Sequence, residues 1–144
     1  MNWKDEALDK LRNYDALRTA LTNIPEELEQ LELEAGALRS VRTDTVRVRG
    51  GGGNRENALI NNLVERQELS QNFHRAQRLV QTADRALGVL SPQEKLVLSR
   101  LYIYPERGAL DRLCAELGVE QSSIYRKRDQ ALRRFTMAYY GIEC

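Results

Sequence analysis

The chain has 144 residues, of which 42% are hydrophobic and 30% are charged, and its formal net charge is +1. This length suits one ordinary domain or two small ones, and the nearly neutral balance excludes a global basic field that would draw the protein to nucleic acid. Its two cysteines, Cys114 and Cys144, make neither a disulfide framework nor a metal cluster, which suits a reducing compartment.

Charge and hydropathy limit the location of the protein and of any nucleic-acid site. No apolar run approaches the ~18 to 20 residues of a membrane span, and the N-terminus lacks the apolar stretch of a signal peptide. We therefore expect a cytoplasmic protein with no membrane contact. Basic and acidic residues number 8 and 10 over residues 1–50, 5 and 4 over 51–90, and 9 and 7 over 91–144. The positive charge drifts toward the C-terminus, so any affinity for DNA must be local.

Apolar residues recur at spacings of three and four through the first forty positions, which predicts helix throughout. They are Trp3, Ala7, Leu11, Tyr14, Leu17, Leu21, Leu28, Leu31, Ala35 and Leu38. The pattern is interrupted at Asn23-Ile24-Pro25. Proline has no amide donor and is favoured at the first helical position. A second helix is therefore expected to begin there, either kinked from the first or turned away from it.

Residues 40–54 break the helical pattern. Within them "TDTVRVRGGGGN" alternates like a strand and then carries four glycines, whose backbone freedom predicts a flexible linker. A phosphate-binding loop is rejected because the Gly-Lys-Ser/Thr ending is missing.

A second long helix is predicted from Asn54, its expected cap, to about Gly88. Its seam steps by four and three through Leu59, Leu63, Arg66, Ser70, Phe73, Gln77, Val80, Asp84 and Leu87, and Ala76 and Ala83 widen it. Residues 1–90 therefore predict a coiled-coil-like helical hairpin, and its narrow seam can also pair with a second chain. His74 has no ligand partner at a suitable spacing, so neither a metal nor a cofactor is expected.

Residues 91–144 predict a separate three-helix domain. Ser91 as cap, Pro92 at the first helical position and Glu94 three residues after the cap form a capping box, and this helix should end before Pro105. "GALDRLCAELGV" predicts a short second helix that ends at Gly118 in a left-handed cap. The third helix should begin near Gln121.

The second and third helices have the spacing of a helix-turn-helix. Small Cys114 is followed four residues later by the turn glycine Gly118, then by Val119 and Ile124. Small side chains let two helices cross closely, and the two aliphatic residues close the shared core. Together with the long hairpin, this gives an all-α protein.

The third helix carries five basic residues and one acidic residue between Gln121 and Thr136. On a helical wheel Ile124, Ala131 and Phe135 fall within about 40° and form the core face. Ser122, Arg126 and Arg133 lie opposite. Arginine can bond guanine bidentately and glutamine can bond adenine, so the candidate base contacts are Gln121, Ser122 and Arg126. Ser123, in the same turn, is also predicted to bind DNA. Candidate phosphate contacts are Tyr125, Lys127, Arg128, Arg133 and Arg134. A merely solvated charged face is the alternative.

The stretch "LSPQEKLVLSRLYIYPERGALDRLCAELGVEQSSIYRKRDQALRRF" resembles the promoter-reading region-four domain of bacterial sigma factors. Its ending "SSIYRKRDQALRRF" is similar to phage and prophage regulators of the RinA and ArpU type, in which a long helical part and a glycine-rich interruption also occur. The resemblance implies an activator of phage late genes or a sigma-like factor that meets RNA polymerase, with its reading turn at Gln121, Ser122, Tyr125 and Arg126. Two positions depart from the pattern: Glu120 replaces a Ser or Thr cap, and Lys127 replaces an aliphatic residue.

We therefore expect a sequence-specific transcriptional regulator of the bacterial cytoplasm or nucleoid, bound to double-stranded DNA and dimeric through its N-terminal helices. Two alternatives stay open. One is a DNA-packaging adaptor such as a small terminase subunit, and the other is a helical module that binds RNA polymerase. An enzyme is not expected, because the chain has one histidine and no nucleophile motif.

Overall fold

The computed structural model describes residues 2–44 and 51–143. Within these ranges it contains five α-helices, one π-helical segment and no strand, so the predicted all-α class is confirmed for the described residues. The elements in order are α1 (Trp3–Asp44), α2 (Gly51–Gly88), α3 (Pro92–Leu98), the π-helical segment (Ser99–Ile103), α4 (Ala109–Leu117) and α5 (Gln121–Tyr140). None of the helices described is long and apolar enough to cross a membrane.

The chain divides into two compact units. Unit 1 comprises Met1–Arg18 and Arg78–Cys144, and unit 2 comprises Thr19–Gln77. This division does not coincide with the predicted boundary at residues 90 and 91. One reason is that the start of α1 packs with the end of the chain: the rings of Trp3 and Tyr140 have centroids 4.9 Å apart.

Helix α1 runs without interruption from Trp3 to Asp44 with Pro25 inside it. The prediction that a second helix begins at Pro25 is therefore wrong. A proline inside a helix removes one backbone hydrogen bond and costs about 3 kcal/mol. Burial of Leu31 and Ala35, which follow Pro25 in the same unit, offsets that cost and favours a continuous helix.

The predicted linker at residues 40–54 is helical at both of its ends. Helix α1 includes residues 40–44, and α2 begins at Gly51, so Asn54 lies inside α2 and is not its cap. Residues 45–50, with much of the strand-like alternation, lie outside the described residues. Glycine lowers helix propensity but does not prevent a helix that continues from a strong sequence beside it, which is why the helices extend beyond the predicted ends.

In unit 2, a buried asparagine joins the two long helices. Asn62, on α2, is 6% exposed; its Nδ2 donates to the carbonyl oxygen of Leu31 at 2.8 Å, and its Oδ1 accepts from Arg66 Nε at 2.8 Å. Leu63, which was predicted to lie in the seam, is 47% exposed. That assignment is wrong, because the adjacent Asn62 is the buried residue. The buried amide is tolerated because both of its polar atoms are hydrogen-bonded.

Unit 1 contains the larger core. Val97, Leu113 and Ile124 form a fully buried cluster that brings α3, α4 and α5 together, and the partly buried Cys114 packs against it. The predicted core face of α5 is also confirmed, because Ile124, Ala131 and Phe135 are all fully buried. These contacts fix the orientation of α5 within its unit.

The two long helices also meet in unit 1. The Tyr14 hydroxyl donates a hydrogen bond to Asp84 Oδ1, so the polar Asp84 of the predicted seam has a partner. Burial, together with the hydrogen bond and charge of Asp84, raises the pKa of Tyr14 to about 12. The phenol therefore remains a donor at every pH at which the protein would be used.

The local predictions for the C-terminal helices are confirmed. Ser91 caps α3 in a complete capping box: Ser91 N donates to Glu94 Oε1 at 2.9 Å, and Glu94 N donates to Ser91 Oγ at 3.2 Å. The helical path ends at Ile103, before Pro105, through the π-helical turn. Gly118 ends α4 with φ 65°, a left-handed conformation that glycine adopts without strain.

Candidate nucleic-acid interface

Helices α4 and α5 are joined by a short, defined turn. After Gly118, Val119 N donates to the carbonyl oxygen of Cys114 at 3.1 Å, and Glu120 is extended, with φ −81° and ψ 163°. Helix α5 then begins at Gln121, as predicted. The turn and the buried Ile124 together determine which side chains of the first turns of α5 point outward.

Glu120 provides no side-chain cap for α5, in agreement with its departure from the Ser or Thr pattern. Its carboxylate is exposed beside the helix N-terminus. A negative charge at this end interacts favourably with the positive end of the helix dipole, but it would repel a phosphate that approached the same turn. Glu120 therefore stabilises the helix at a cost to anion binding.

The outer face of α5 is exposed where the wheel places it. Gln121, Ser122, Tyr125, Arg126 and Arg133 are exposed, and Ser123 is half-buried. Neither Arg126 nor Arg133 makes a hydrogen bond or ion pair with any residue of the described ranges. Two guanidinium groups on this face are thus available to a ligand, and they are seven positions apart, about two helical turns.

Lys127 is occupied within the domain. Its Nζ donates to Gln93 Oε1, on α3, at 2.9 Å, and the side chain is half-buried. An ammonium group has three donors, so one bond does not exhaust it. Its position nevertheless connects α5 to α3.

Arg134 is more firmly engaged. Its two terminal nitrogens donate to Glu94 Oε1 and to the carbonyl oxygen of Val89, each at 2.6 Å. Burial raises the pKa of Glu94, but hydrogen bonding by the backbone and side chain of Ser91 and the charge and hydrogen bond of Arg134 outweigh it, so the pKa is lowered overall. Glu94 Oε2 is buried with no partner among the described residues. Arg134 therefore anchors α5 to the capping box of α3.

Arg128 is engaged on three sides. Its Nε and Nη2 donate to Asp129 Oδ1 at 3.0 and 2.8 Å, and its Cζ lies 4.8 Å from the centroid of the Tyr125 ring. Burial lowers the pKa of Arg128, but the hydrogen bonds and charges of Asp129 and of Tyr102, in the π-helical segment, raise it overall. The guanidinium is thus held by its own domain.

The sequence grouped five basic residues as DNA contacts, and the structure divides them. Arg126 and Arg133 extend from the outer face without partners among the described residues, whereas Lys127, Arg128 and Arg134 bond to neighbouring side chains or to the backbone. Tyr102 and Glu94 were missed as members of this region. The capping box gave a signal for Glu94, but nothing in the spacing pointed to Tyr102.

Within the described residues, no three side chains of His, Cys, Asp or Glu converge as metal ligands. Comparison of the chain with protein-family models, with curated proteins and with solved structures finds no match.

Proposed function

We propose that the protein is a DNA-binding transcriptional regulator that reads a major groove with α5. The observation that carries this proposal is a pair of exposed arginines, Arg126 and Arg133, on the face of α5 opposite its buried residues; neither has a partner among the described residues. Arginine bonds both guanine edges and phosphates through the same planar donors. A helix held in place by its core and presenting free guanidinium groups has the means for both contacts.

The two arginines take different roles in this proposal. Arg126 follows Gln121 and Ser122 in the first turns of α5, which are the turns that enter the groove in helix-turn-helix proteins, so it reads a base edge. Arg133 lies about two turns further along and contacts a phosphate. In this arrangement α3, α4 and α5 act as the helix-turn-helix domain of a sigma-like or phage-type regulator, which acts in the cytoplasm and can also contact RNA polymerase.

A domain with few free basic side chains binds DNA weakly at physiological salt, because each phosphate contact adds only a limited, salt-sensitive gain. Pairing two copies raises the effective affinity without any new contact. The long helices are the proposed dimerisation region, arranged as a hairpin. Two hydrogen bonds support this: Tyr14 to Asp84 in unit 1, and Asn62 to the Leu31 carbonyl in unit 2, each joining α1 to α2.

Exposed aliphatic side chains in unit 2 also support pairing. Four of them are between 45% and 64% exposed: Leu33, Ile60, Leu63 and Val64. Such side chains on otherwise polar helices are common at interfaces between chains. Light scattering should give a dimer, whereas a ring of higher order would favour the DNA-packaging adaptor instead.

Selection of bound sequences from random duplex DNA with the purified full chain tests the proposal. The expected result is a recovered motif in two related half-sites, with a spacing of about one helical turn or a multiple of it. Recovery of no motif, together with no retention of any duplex at low salt, would contradict the proposal. In that case, capture of RNA polymerase by the same protein would favour the interaction module.

A further inference from the structure

Asp129 is the one acidic side chain between Gln121 and Thr136, and it lies among the arginines of the outer face. It is three residues after Arg126 and four before Arg133. Pairs at these spacings are neighbours on a helix surface and commonly form ion pairs. Without another partner, the Asp129 carboxylate would therefore pair with Arg126 or Arg133, the two residues that the proposed function requires.

The structure shows a different partner for Asp129. Both hydrogen bonds to its Oδ1 come from the adjacent residue, Arg128, at 2.8 and 3.0 Å. Arg128 can reach the carboxylate because its guanidinium lies 4.8 Å from the Tyr125 ring centroid, a cation–π contact that holds it along the helix surface. The Arg128 side chain is half-buried, whereas Asp129 is exposed.

From this geometry we infer that Arg128 is a positioning residue: it occupies the carboxylate of Asp129 and so leaves Arg126 and Arg133 free for DNA, without itself contacting a phosphate. The inference rests on the proposed function and reverses the role that the sequence indicated for Arg128. It also explains how a carboxylate is tolerated on a face that approaches phosphates, since the adjacent positive charge neutralises it.

A double-mutant cycle on Arg128 and Asp129 tests this role. Binding of a fluorescent, mixed-sequence DNA duplex is measured for wild type, R128M, D129N and R128M/D129N. R128M should weaken binding about two- to fivefold, the range set by one exposed ion pair, because Asp129 then pairs with Arg126 or Arg133. D129N should not weaken binding. In the D129N background, R128M should have almost no further effect.

The matched control is R133M. Removal of a residue that contacts a phosphate should weaken binding by a similar factor in the wild-type and D129N backgrounds. It should also reduce the slope of log affinity against log salt by about one. R128M should leave that slope unchanged in the D129N background. If R128M weakens D129N as much as it weakens wild type and lowers the slope, Arg128 contacts a phosphate and the inference is wrong.

A second measurement needs no DNA and separates this inference from the proposed function. In ¹⁵N spectra of the arginine side chains, the Nε–H of Arg128 should exchange with water more slowly than those of Arg126 and Arg133. In R128M, slower exchange should appear at Arg126 or Arg133. If exchange at Arg126 and Arg133 is unchanged in R128M, the inference is wrong even if the protein binds DNA. If the wild-type protein binds no DNA, only the proposed function is wrong.

Discussion

The two units of the chain are both helical, but the interactions that stabilise each unit internally are different. Unit 1 combines fully buried side chains from α1, α3, α4 and α5, among them Leu11, Val97, Leu113 and Phe135. In unit 2 the buried residues, among those that the structure describes, are the apolar Leu31, Ala35 and Ala76 and the polar Asn62. Most of the stabilisation of unit 1 thus comes from apolar burial, whereas unit 2 relies on a thin seam and on a hydrogen-bonded amide.

This difference has a consequence for function. A helix that positions side chains for recognition must be fixed by its surroundings, and α5 is fixed by fully buried residues on one face. A two-helix unit with exposed aliphatic side chains gains by covering them. The contrast favours recognition in unit 1 and association in unit 2, and the following experiments test it.

Phe135→Ala should produce the largest effect. Phe135 is fully buried on α5, and the loss of such a side chain typically costs about 3–5 kcal/mol. The chain has one tryptophan, Trp3, which contacts Tyr140 in unit 1, so its fluorescence during urea unfolding reports on this unit. Gln130→Ala, at an exposed position of the same helix, is the control and should change stability by less than about 0.5 kcal/mol. A cost below about 1 kcal/mol for Phe135→Ala would contradict the core assigned to unit 1.

Arg134→Met should lower the free energy of unfolding of unit 1 by about 1–2 kcal/mol. It removes two hydrogen bonds and leaves the buried Glu94 carboxylate with less compensation. We expect a cost in the lower part of the usual range for a buried polar group that loses its partner, because the Arg134 side chain is 44% exposed.

The adjacent Arg133 provides the matched control for that change. Arg133→Met should leave the unfolding free energy unchanged, because Arg133 has no bonded partner among the described residues. It should instead reduce the salt dependence of DNA binding. Equal loss of stability in the two variants would show that the structure does not separate an anchoring arginine from a free one.

Arg126→Ala should cost on the order of 1–3 kcal/mol of binding free energy on the selected DNA sequence and relax its specificity. Binding is measured on the selected duplex and on a scrambled duplex of equal length. Arg133→Ala is the comparison, and it should weaken binding to both duplexes by a similar factor. If the two variants behave alike on both duplexes, Arg126 does not read a base.

Asn62→Ala should destabilise unit 2 by about 1 kcal/mol, since it removes the bond to the Leu31 carbonyl and that from Arg66. Amide hydrogen exchange within residues 19–40 and 53–77 measures the effect. Asn61→Ala is the matched control, because the adjacent Asn61 is exposed, and it should leave exchange unchanged. Similar exchange in the two variants would mean that the amide does not hold the helices together.

Local signals in the sequence predicted the C-terminal helices well. The capping box at Ser91, the left-handed Gly118 and the apolar face of α5 each depend on residues within a few positions of one another. The predictions at Pro25 and at the glycine-rich linker were wrong because burial and the continuation of a long helix outweigh the low helix propensity of single residues.

The roles of the basic residues could be predicted only in part. At 100° per residue, Lys127, Arg128 and Arg134 fall within about 80° of the direction of Ile124, whereas Arg126 and Arg133 lie about 160° to 180° from it. The wheel therefore indicated which basic residues lie near the domain. Their partners, Gln93, Glu94 and the Val89 carbonyl, come from distant parts of the sequence, and only the packing of α3 against α5 brings them close.

The smallest expected effect is a pH dependence in unit 1. The folded pKa of Glu94 lies below the ordinary value of 4.5, so the unfolded chain takes up the proton first as the pH falls. The stabilisation from the Glu94 carboxylate is therefore complete above about pH 4.5 and is lost as the pH falls through the lowered pKa. Urea unfolding followed by Trp3 fluorescence should show that wild type is more stable than Glu94→Gln at neutral pH and that the difference narrows in acid. Glu143→Gln, at an exposed position, should follow the wild-type curve, and a wild-type advantage over Glu94→Gln that stays constant into acid would mean that the bonds from Ser91 and Arg134 do not depend on the charge of Glu94.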